Sequence, residues 1–237
     1  MPTPFYIIAA TPQKPLQFEN FFDSGKCPVV ELVKNPPSLR RMGWDLVTLD
    51  TPRILKGECW EVNNAERKRI RLYKDGTVIF RAAADDSFLG LGRENHIQPY
   101  PSLNALALVE VTYNFVKFYS SIIMKGNKTH VNSLPITFQI KLINLTPNIS
   151  RIFSVYLNSS EAVWDIHHKT NIAPETQMQK ELTLPIPPIS PPVEEIAYKI
   201  IEIVFTWFGI PANDIPYTIT NVAEEKCIDI NKITRTH

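Results

Sequence analysis

This sequence of 237 residues contains few glycines and few cysteines, and its positive and negative charges nearly cancel. It has 8 glycines, and none of the glycine-rich patterns that bind dinucleotides or phosphate occurs. Its 3 cysteines are far apart and odd in number, which argues against a disulfide framework and against a cysteine-rich zinc site. A net charge of +1 means that no long-range field draws the whole molecule to nucleic acid or to an anionic membrane.

Long apolar runs and catalytic motifs are missing as well. No stretch reaches the ~18 apolar residues that a membrane span requires, and residues 1–10 lack the basic start of a signal peptide. We therefore expect no membrane association, and the widely spaced thiols favour a reducing, cytoplasmic compartment. Because no catalytic, cofactor or metal-ligand motif is present, we predict no catalytic residue, no cofactor and no bound metal.

Alternating apolar residues and two long apolar helical patterns dominate the chain instead. Strands are predicted at 5–10, 29–34, 44–49, 54–62, 70–73, 77–80, 136–145, 151–157 and 182–186, with one or two more after residue 217. The helical patterns run over 103–124 and 193–208. We predict an α+β protein of two strand-then-helix halves, 1–130 and 131–237, whose helices pack on a mainly antiparallel sheet as one unit.

The first helical pattern carries one narrow polar stripe. Its members, Glu110, Asn114, Lys117 and Ser121, recur at spacings of four, three and four, and almost every other position is apolar. Such a helix is expected to be buried on several sides or to cover a partner. Ser102 precedes the pattern and is a candidate N-cap.

An Asp-Gly pair marks the strongest local turn. Asp75 and Gly76 separate two β-rich runs, which predicts a two-residue hairpin turn with positive φ at both residues. In that register Leu72 lies opposite Ile79, and both faces of the hairpin are partly apolar. We therefore expect the hairpin to lie in the interior of the protein.

The same hairpin has the densest basic cluster of the chain. Arg67, Lys68, Arg69 and Arg71 lie beside Tyr73, and basic strands with aromatic neighbours can hold a nucleic-acid backbone and stack bases. These five residues are the candidate nucleic-acid contacts. The alternative is a solvated edge strand whose charges prevent aggregation.

The second helical pattern is apolar around nearly its whole circumference. A single sheet covers only one side of a helix. Each apolar side chain left in water loses the roughly 1.5–3 kcal/mol of stabilisation that its burial would give. Ile203, Phe205 and Trp207 are the candidate interface residues, and they favour a protein partner or a homo-oligomer.

One loop could support acid–base chemistry. Asp85, Asp86, Glu94 and His96 fall within it, although adjacent aspartates near glycine also form plain turns. The histidine pair at 167–168 is a weak metal motif, because neighbouring residues of a strand point to opposite faces.

Three segments and the first long helix carry a family resemblance. The segments are RRMGWDL at 40–46, ILKGE at 54–58 and IRLYKDGTVIF at 70–80. Over about residues 1–125 the chain resembles the region C-terminal to the Schlafen/AlbA-type domain of bacterial proteins described as DNA-binding or ATP-binding. The defining nucleic-acid domain of those proteins is not in this chain, so no functional residue is carried over.

The resemblance implies an accessory or sensor module of a nucleic-acid-associated, defence-related bacterial system. Together with the apolar helices it favours a non-catalytic interaction or regulatory module. The alternatives are nucleic-acid binding through the Arg67–Arg71 hairpin and hydrolysis in the Asp85–His96 loop.

Overall fold

The fold is an antiparallel sheet packed by long helices. The computed structural model describes residues 2–41, 43–46, 50–64, 67–90, 102–126, 134–153, 171–186 and 192–235. The strands are β1 Phe5–Pro12, β2 Arg53–Leu55, β3 Cys59–Asn64, β4 Lys68–Tyr73, β5 Val78–Ala83, β6 Ser102–Asn104, β7 Leu134–Ile143, β8 Arg151–Phe153, β9 Met178–Ile186, β10 Thr218–Thr220 and β11 Lys226–Ile228. The helices are α1 Val30–Lys34, α2 Ala105–Gly126, α3 Val193–Trp207 and α4 Ile230–Thr234.

Seven of the described strands form one sheet in the order β2-β3-β4-β5-β1-β7-β9, and all neighbours in it are antiparallel. In its centre, β1 is hydrogen-bonded to β5 on one side and to β7 on the other. Strands from residues 1–130 and from residues 131–237 therefore share one sheet. The predicted α+β class, with a mainly antiparallel sheet and two long apolar helices, is confirmed.

Alternation along the strands gives the sheet a buried inner face and a partly exposed outer face. On β1, Tyr6, Ile8 and Ala10 are fully buried, and the residues between them are partly exposed. The pattern repeats on β7 from 136 to 142. Helix α2 covers the inner face, where the Tyr6 hydroxyl and the Thr112 hydroxyl share a hydrogen bond of 3.0 Å.

Helix α2 is buried on nearly every side, and its polar stripe does not face solvent. Both Glu110 and Asn114 are fully buried. Arg40 donates to Glu110, with Nη2 2.6 Å from Oε2, and Asn114 Nδ2 donates to the Trp44 carbonyl at 3.2 Å. The Glu110 carboxylate and the Asn114 amide nitrogen are thus satisfied by neighbouring polypeptide, whereas Asn114 Oδ1 has no hydrogen-bond partner among the described residues.

Helix α3 packs against α2 and ends at a glycine. Gly209 has a φ of 79°, and Ile210 N donates to Phe205 O at 3.0 Å, which is the hydrogen bond of a Schellman cap. Phe205 is fully buried within the chain, so its assignment to an interface is wrong. Ile203 and Trp207 are partly buried and pack against the same core.

Two predicted strands near the start of the chain are wrong. Residues 29–34 contain α1, in which Val30 and Val33 are buried at a spacing that suits one side of a helix. Residues 54–62 form two strands, β2 and β3, instead of one. The chain reverses at 56–57, where both residues have positive φ as a type I′ turn requires.

Other predicted elements have shifted ends or partners. The strand predicted at 151–157 pairs in parallel with β6 as β8, not with β7, and the rest of it lies outside the described residues. The strand predicted at 44–49 is absent from its described part. Ser102 lies in β6, and the Asn104 side chain caps α2 by accepting from Leu106 N at 3.0 Å.

Gly43 lies against the Glu110 carboxylate, and a Cβ atom there would overlap it. Because Arg40 holds the carboxylate, we expect Gly43→Ala to lower the free energy of unfolding by about 1–3 kcal/mol, the usual effect of overpacking. Urea denaturation measures this change. Gly25→Ala is the control, since a Cβ there meets only Asp23 Oδ1 at 3.5 Å. Equal losses for the two variants would contradict the prediction.

The Arg40–Glu110 ion pair is buried, with side-chain exposures of 14% and 0%. We expect Arg40→Met to lower the free energy of unfolding by about 3 kcal/mol, because it leaves a buried carboxylate without its cation. Lys34→Met is the control, since the Lys34–Glu31 pair is exposed and should contribute less than about 1 kcal/mol. Thermal or urea denaturation of both variants tests the difference, and a similar small loss in each would refute it.

Candidate nucleic-acid interface

The turn of the β4–β5 hairpin contains three residues, not two. Tyr73 N donates to Thr77 O at 2.8 Å, and Gly76, with a φ of 90°, is the residue of the turn in the left-handed region. Asp75 stays at negative φ, and its carboxylate accepts from Thr77 N at 2.9 Å. A turn that ends in a left-handed glycine is the usual three-residue hairpin loop. The prediction of positive φ at both Asp75 and Gly76 is therefore wrong.

The longer turn shifts the register of the hairpin by one residue. Leu72 pairs with Val78 instead of Ile79, and Arg69 pairs with Arg81. A slip of one residue transfers side chains to the opposite face. Apart from Lys68, the inner face is therefore apolar and the outer face carries the arginines, so the prediction of two mixed faces is wrong.

The alternation of side chains along β4 divides the predicted basic cluster between the two faces. Lys68 points to the inner face, where its Nζ lies 2.9 Å from Asp45 Oδ1 and 4.8 Å from the centre of the Phe88 ring. It is buried, so its assignment as a nucleic-acid contact is wrong. Arg67 precedes β4 and donates to the Ser87 carbonyl at 2.8 Å.

Arg69, Arg71 and Tyr73 remain together on the outer face, and all three are partly exposed. The strand registers place Arg81 and Lys141 beside them. Arg69 pairs with Arg81, Arg81 with Ile7, and Ile7 with Lys141. We call this line of residues across β4, β5, β1 and β7 the cationic row: Arg69, Arg81, Ile7 and Lys141.

Like charges face each other at one end of the cationic row. Burial lowers the pKa of Arg69, and the neighbouring guanidinium groups of Arg71 and Arg81 lower it further. The Cζ atom of Arg81 lies 4.0 Å from the centre of the Phe5 ring. Within the described part of the chain, no carboxylate forms an ion pair with Arg69, Arg81 or Lys141.

Beside the cationic row on the outer face, Glu61 neutralises the positive charge of nearby arginines. It is buried, and its two oxygens accept from Arg53 at 2.7 Å and from Arg71 at 2.8 Å. Burial alone would raise the pKa of Glu61, but hydrogen bonds from the two guanidinium groups bring that pKa below its ordinary value. Arg71 is therefore partly engaged within the protein, unlike the arginines of the cationic row.

The other candidate residues do not assemble a site in the described structure. Asp85 accepts from Ser87 N at 2.9 Å and so serves a turn. Glu94, His96 and the histidine pair at 167–168 lie outside the described residues. Among the residues that are described, no three of His, Cys, Asp and Glu are placed to hold a metal ion.

Sequence reasoning missed Arg81, Lys141 and Phe5. The turn type would have placed Arg81, because a three-residue loop puts it opposite Arg69. Phe5 and Lys141 are brought in by β1, and no local pattern shows which strands β1 joins.

Comparisons with known proteins add no assignment: no protein-family model, curated protein or solved structure matches the chain. The resemblance to the region after the Schlafen/AlbA-type domain therefore stays a prediction. None of the helices described in the structure combines the length and apolar character needed to cross a membrane.

We expect Glu61→Gln to be less stable than the parent protein at neutral pH. A carboxylate whose pKa falls on folding stabilises only while it is ionised. The difference in free energy of unfolding between the parent and Glu61→Gln should therefore shrink as the pH drops below about 4.3, the ordinary pKa of glutamate. It should vanish below the lowered pKa of Glu61 in the folded state. Urea denaturation at a series of pH values measures it.

Glu181→Gln serves as the control for this experiment. Glu181 lies on the outer face of β9, is exposed and accepts from Gln139 at 2.7 Å. Its replacement should change the free energy of unfolding by less than about 0.5 kcal/mol. A Glu61→Gln difference that stays constant down to about pH 3 would refute the prediction.

Proposed function

We propose that this protein binds nucleic acid on the outer face of its sheet. The observation that carries the proposal is the pair Arg69 and Arg81, opposite each other on neighbouring strands with no carboxylate paired to either in the described structure. Like charges placed directly opposite are destabilising. A polyanion such as a phosphate backbone would offset that repulsion.

Aromatic side chains on the same face support this choice. Phe5 lies under the Arg81 guanidinium, and Tyr73 follows Arg71 by two residues on β4. All four of these side chains are partly exposed. Cations that track a backbone, combined with aromatic rings on which bases stack, are the usual means of binding single-stranded nucleic acid.

The charge distribution also favours a local contact over general attraction. The net charge is only +1, and the inner Lys68 and Arg40 are each paired with a carboxylate. Arg69 and Arg81 of the cationic row, by contrast, have no carboxylate paired to them in the described structure. Binding at this row is expected to be short-ranged and to weaken as salt rises.

This proposal replaces two of the sequence hypotheses. The interaction module depended on surplus apolar helix surface, but α2 is buried and so is Phe205 of α3. The hydrolase hypothesis depended on the Asp85–His96 loop, in which the Asp85 carboxylate caps a turn and Glu94 and His96 lie outside the described residues. Of the candidate surfaces, the outer face has the best-supported chemistry.

We further propose a cytoplasmic setting, as part of the nucleic-acid-associated bacterial system that the resemblance implies. Its three cysteines, Cys27, Cys59 and Cys227, are all free thiols. Free thiols suit a reducing compartment. A regulatory role would follow if nucleic acid on this face altered the binding of a protein partner or of a second copy.

We expect Arg69→Gln and Arg81→Gln each to weaken binding of a labelled oligonucleotide of about 20 nucleotides by about tenfold, the effect of one lost charge-assisted hydrogen bond. Fluorescence anisotropy at fixed salt measures the affinity. Thermal melts of both variants should match or exceed that of the parent, because each substitution relieves like-charge repulsion.

Lys180→Gln is the matched control. Lys180 is an exposed cation of β9, and it pairs with Ile140, a residue of the inner face. Its replacement removes the same charge from the opposite side of the same sheet. An equal loss of affinity in Lys180→Gln, or no loss in the two arginine variants, would refute the proposed function.

A further inference from the structure

The outer face is ordered into rows of distinct chemistry, and this order defines a path for a ligand. Resting on the proposed function, we infer that the ligand is single-stranded. Its backbone crosses the strands along the cationic row, and one base stacks on the Arg81–Phe5 pair.

The cationic row runs perpendicular to the strands. Its members lie on four consecutive strands, β4, β5, β1 and β7, at positions fixed by the hydrogen-bond registers. Neighbouring strands are about 4.8 Å apart, so the row is about 14 Å long. Arg69 and Arg81 begin it and Lys141 ends it, with Ile7 between Arg81 and Lys141.

The row of residues on one side of the cationic row carries carboxylates. Two residues further along the strands, the registers align Glu61, Arg71, Ile79, Ala9, Gln139 and Glu181. Carboxylates thus lie at both ends of this row. Glu61 is offset by Arg53 and Arg71, so the arginines expected to attract phosphate are Arg69 and Arg81 of the cationic row, which have no paired carboxylate in the described structure.

On β5, β1 and β7 the row on the other side of the cationic row is apolar, and Arg67, which precedes β4, lies next to Ala83 at its end. Phe5 pairs with Ala83 on β5 and with Ile143 on β7, again two residues away, or about 6.8 Å along the strands. Apolar side chains suit the flat faces of bases. The order of the three rows therefore places phosphates in the middle and bases towards Phe5.

Arg81 connects the cationic row to the apolar row. Its guanidinium group lies over the Phe5 ring at 4.0 Å while the residue remains partly exposed. A guanidinium plane supported by an aromatic ring offers both a charge for phosphate and a flat surface for a base. Bases can reach such a surface only when they are unpaired, which favours a single strand over a duplex.

The first test compares labelled single strands of about 20 nucleotides, as DNA and as RNA, with the matching duplexes and with an abasic strand. We expect both single strands to bind at least tenfold more tightly than their duplexes and than the abasic strand. DNA and RNA should agree within about threefold, because the rows contact phosphates and base planes, which both share.

Two variants test the path and the stack separately. Lys141→Gln should reduce the slope of log affinity against log salt by about 0.7, the value for one phosphate of a single strand, and Lys180→Gln should leave it unchanged. Arg81→Lys keeps the positive charge but removes the planar guanidinium group on which a base can stack. It should keep the salt slope and lower the preference for a normal strand over the abasic strand by at least threefold.

The outcomes separate this inference from the proposed function. Duplex binding as tight as single-strand binding, with the arginine variants still impaired, would overturn the inference and leave the proposed function standing. An unchanged slope in Lys141→Gln would overturn the path across the strands. An unchanged base preference in Arg81→Lys would overturn the stack. No measurable binding of any oligonucleotide would overturn both proposals.

Discussion

One buried negative charge organises the region between the sheet and α2. Glu110 lies in the middle of a helix that otherwise forms the core, and its carboxylate requires a partner there. Arg40 provides it, and the polypeptide that follows Arg40 is drawn along the helix until Asp45 reaches Lys68 of β4. Trp44 connects the same polypeptide to the Phe88 carbonyl at 2.9 Å. The charges of the inner side are thereby paired with one another, and the unpaired cations of the hairpin lie on the outer face.

Most of the long elements could be predicted because their patterns are local. The alternation of β7 and the apolar character of α2 and α3 each depend on residues within one segment. The short elements could not be predicted in this way. The spacing of Val30 and Val33 suits one side of a helix, but an apolar segment as short as 29–34 is compatible with a turn of helix or with a strand, and contacts with distant residues decide between them. The parallel pairing of β8 with β6 could not be predicted for the same reason, since strand pairing is not encoded near the strand.

The candidate site could be predicted only where its residues share a strand. Arg69, Arg71 and Tyr73 alternate along β4, so a common face follows from the sequence. The same alternation puts Lys68 on the opposite face, but its partner there, Asp45, lies in another segment that no local pattern brings to it. The place of Arg81 depended on the turn, where Asp75 bonds to Thr77 and permits a three-residue loop.

The position of β1 has a consequence for synthesis of the chain. In the described sheet, β1 is the strand that joins β2–β5 to β7–β9, and it precedes all of them in the chain, so it leaves the ribosome before they do. Its first partner is complete only at residue 83 and its second only at residue 143. Such non-local pairing slows folding, because long loops must close before the contacts form. The nascent chain therefore carries an apolar strand without both of its partners until residue 143 has been translated, and a chaperone could bind the strand in that interval.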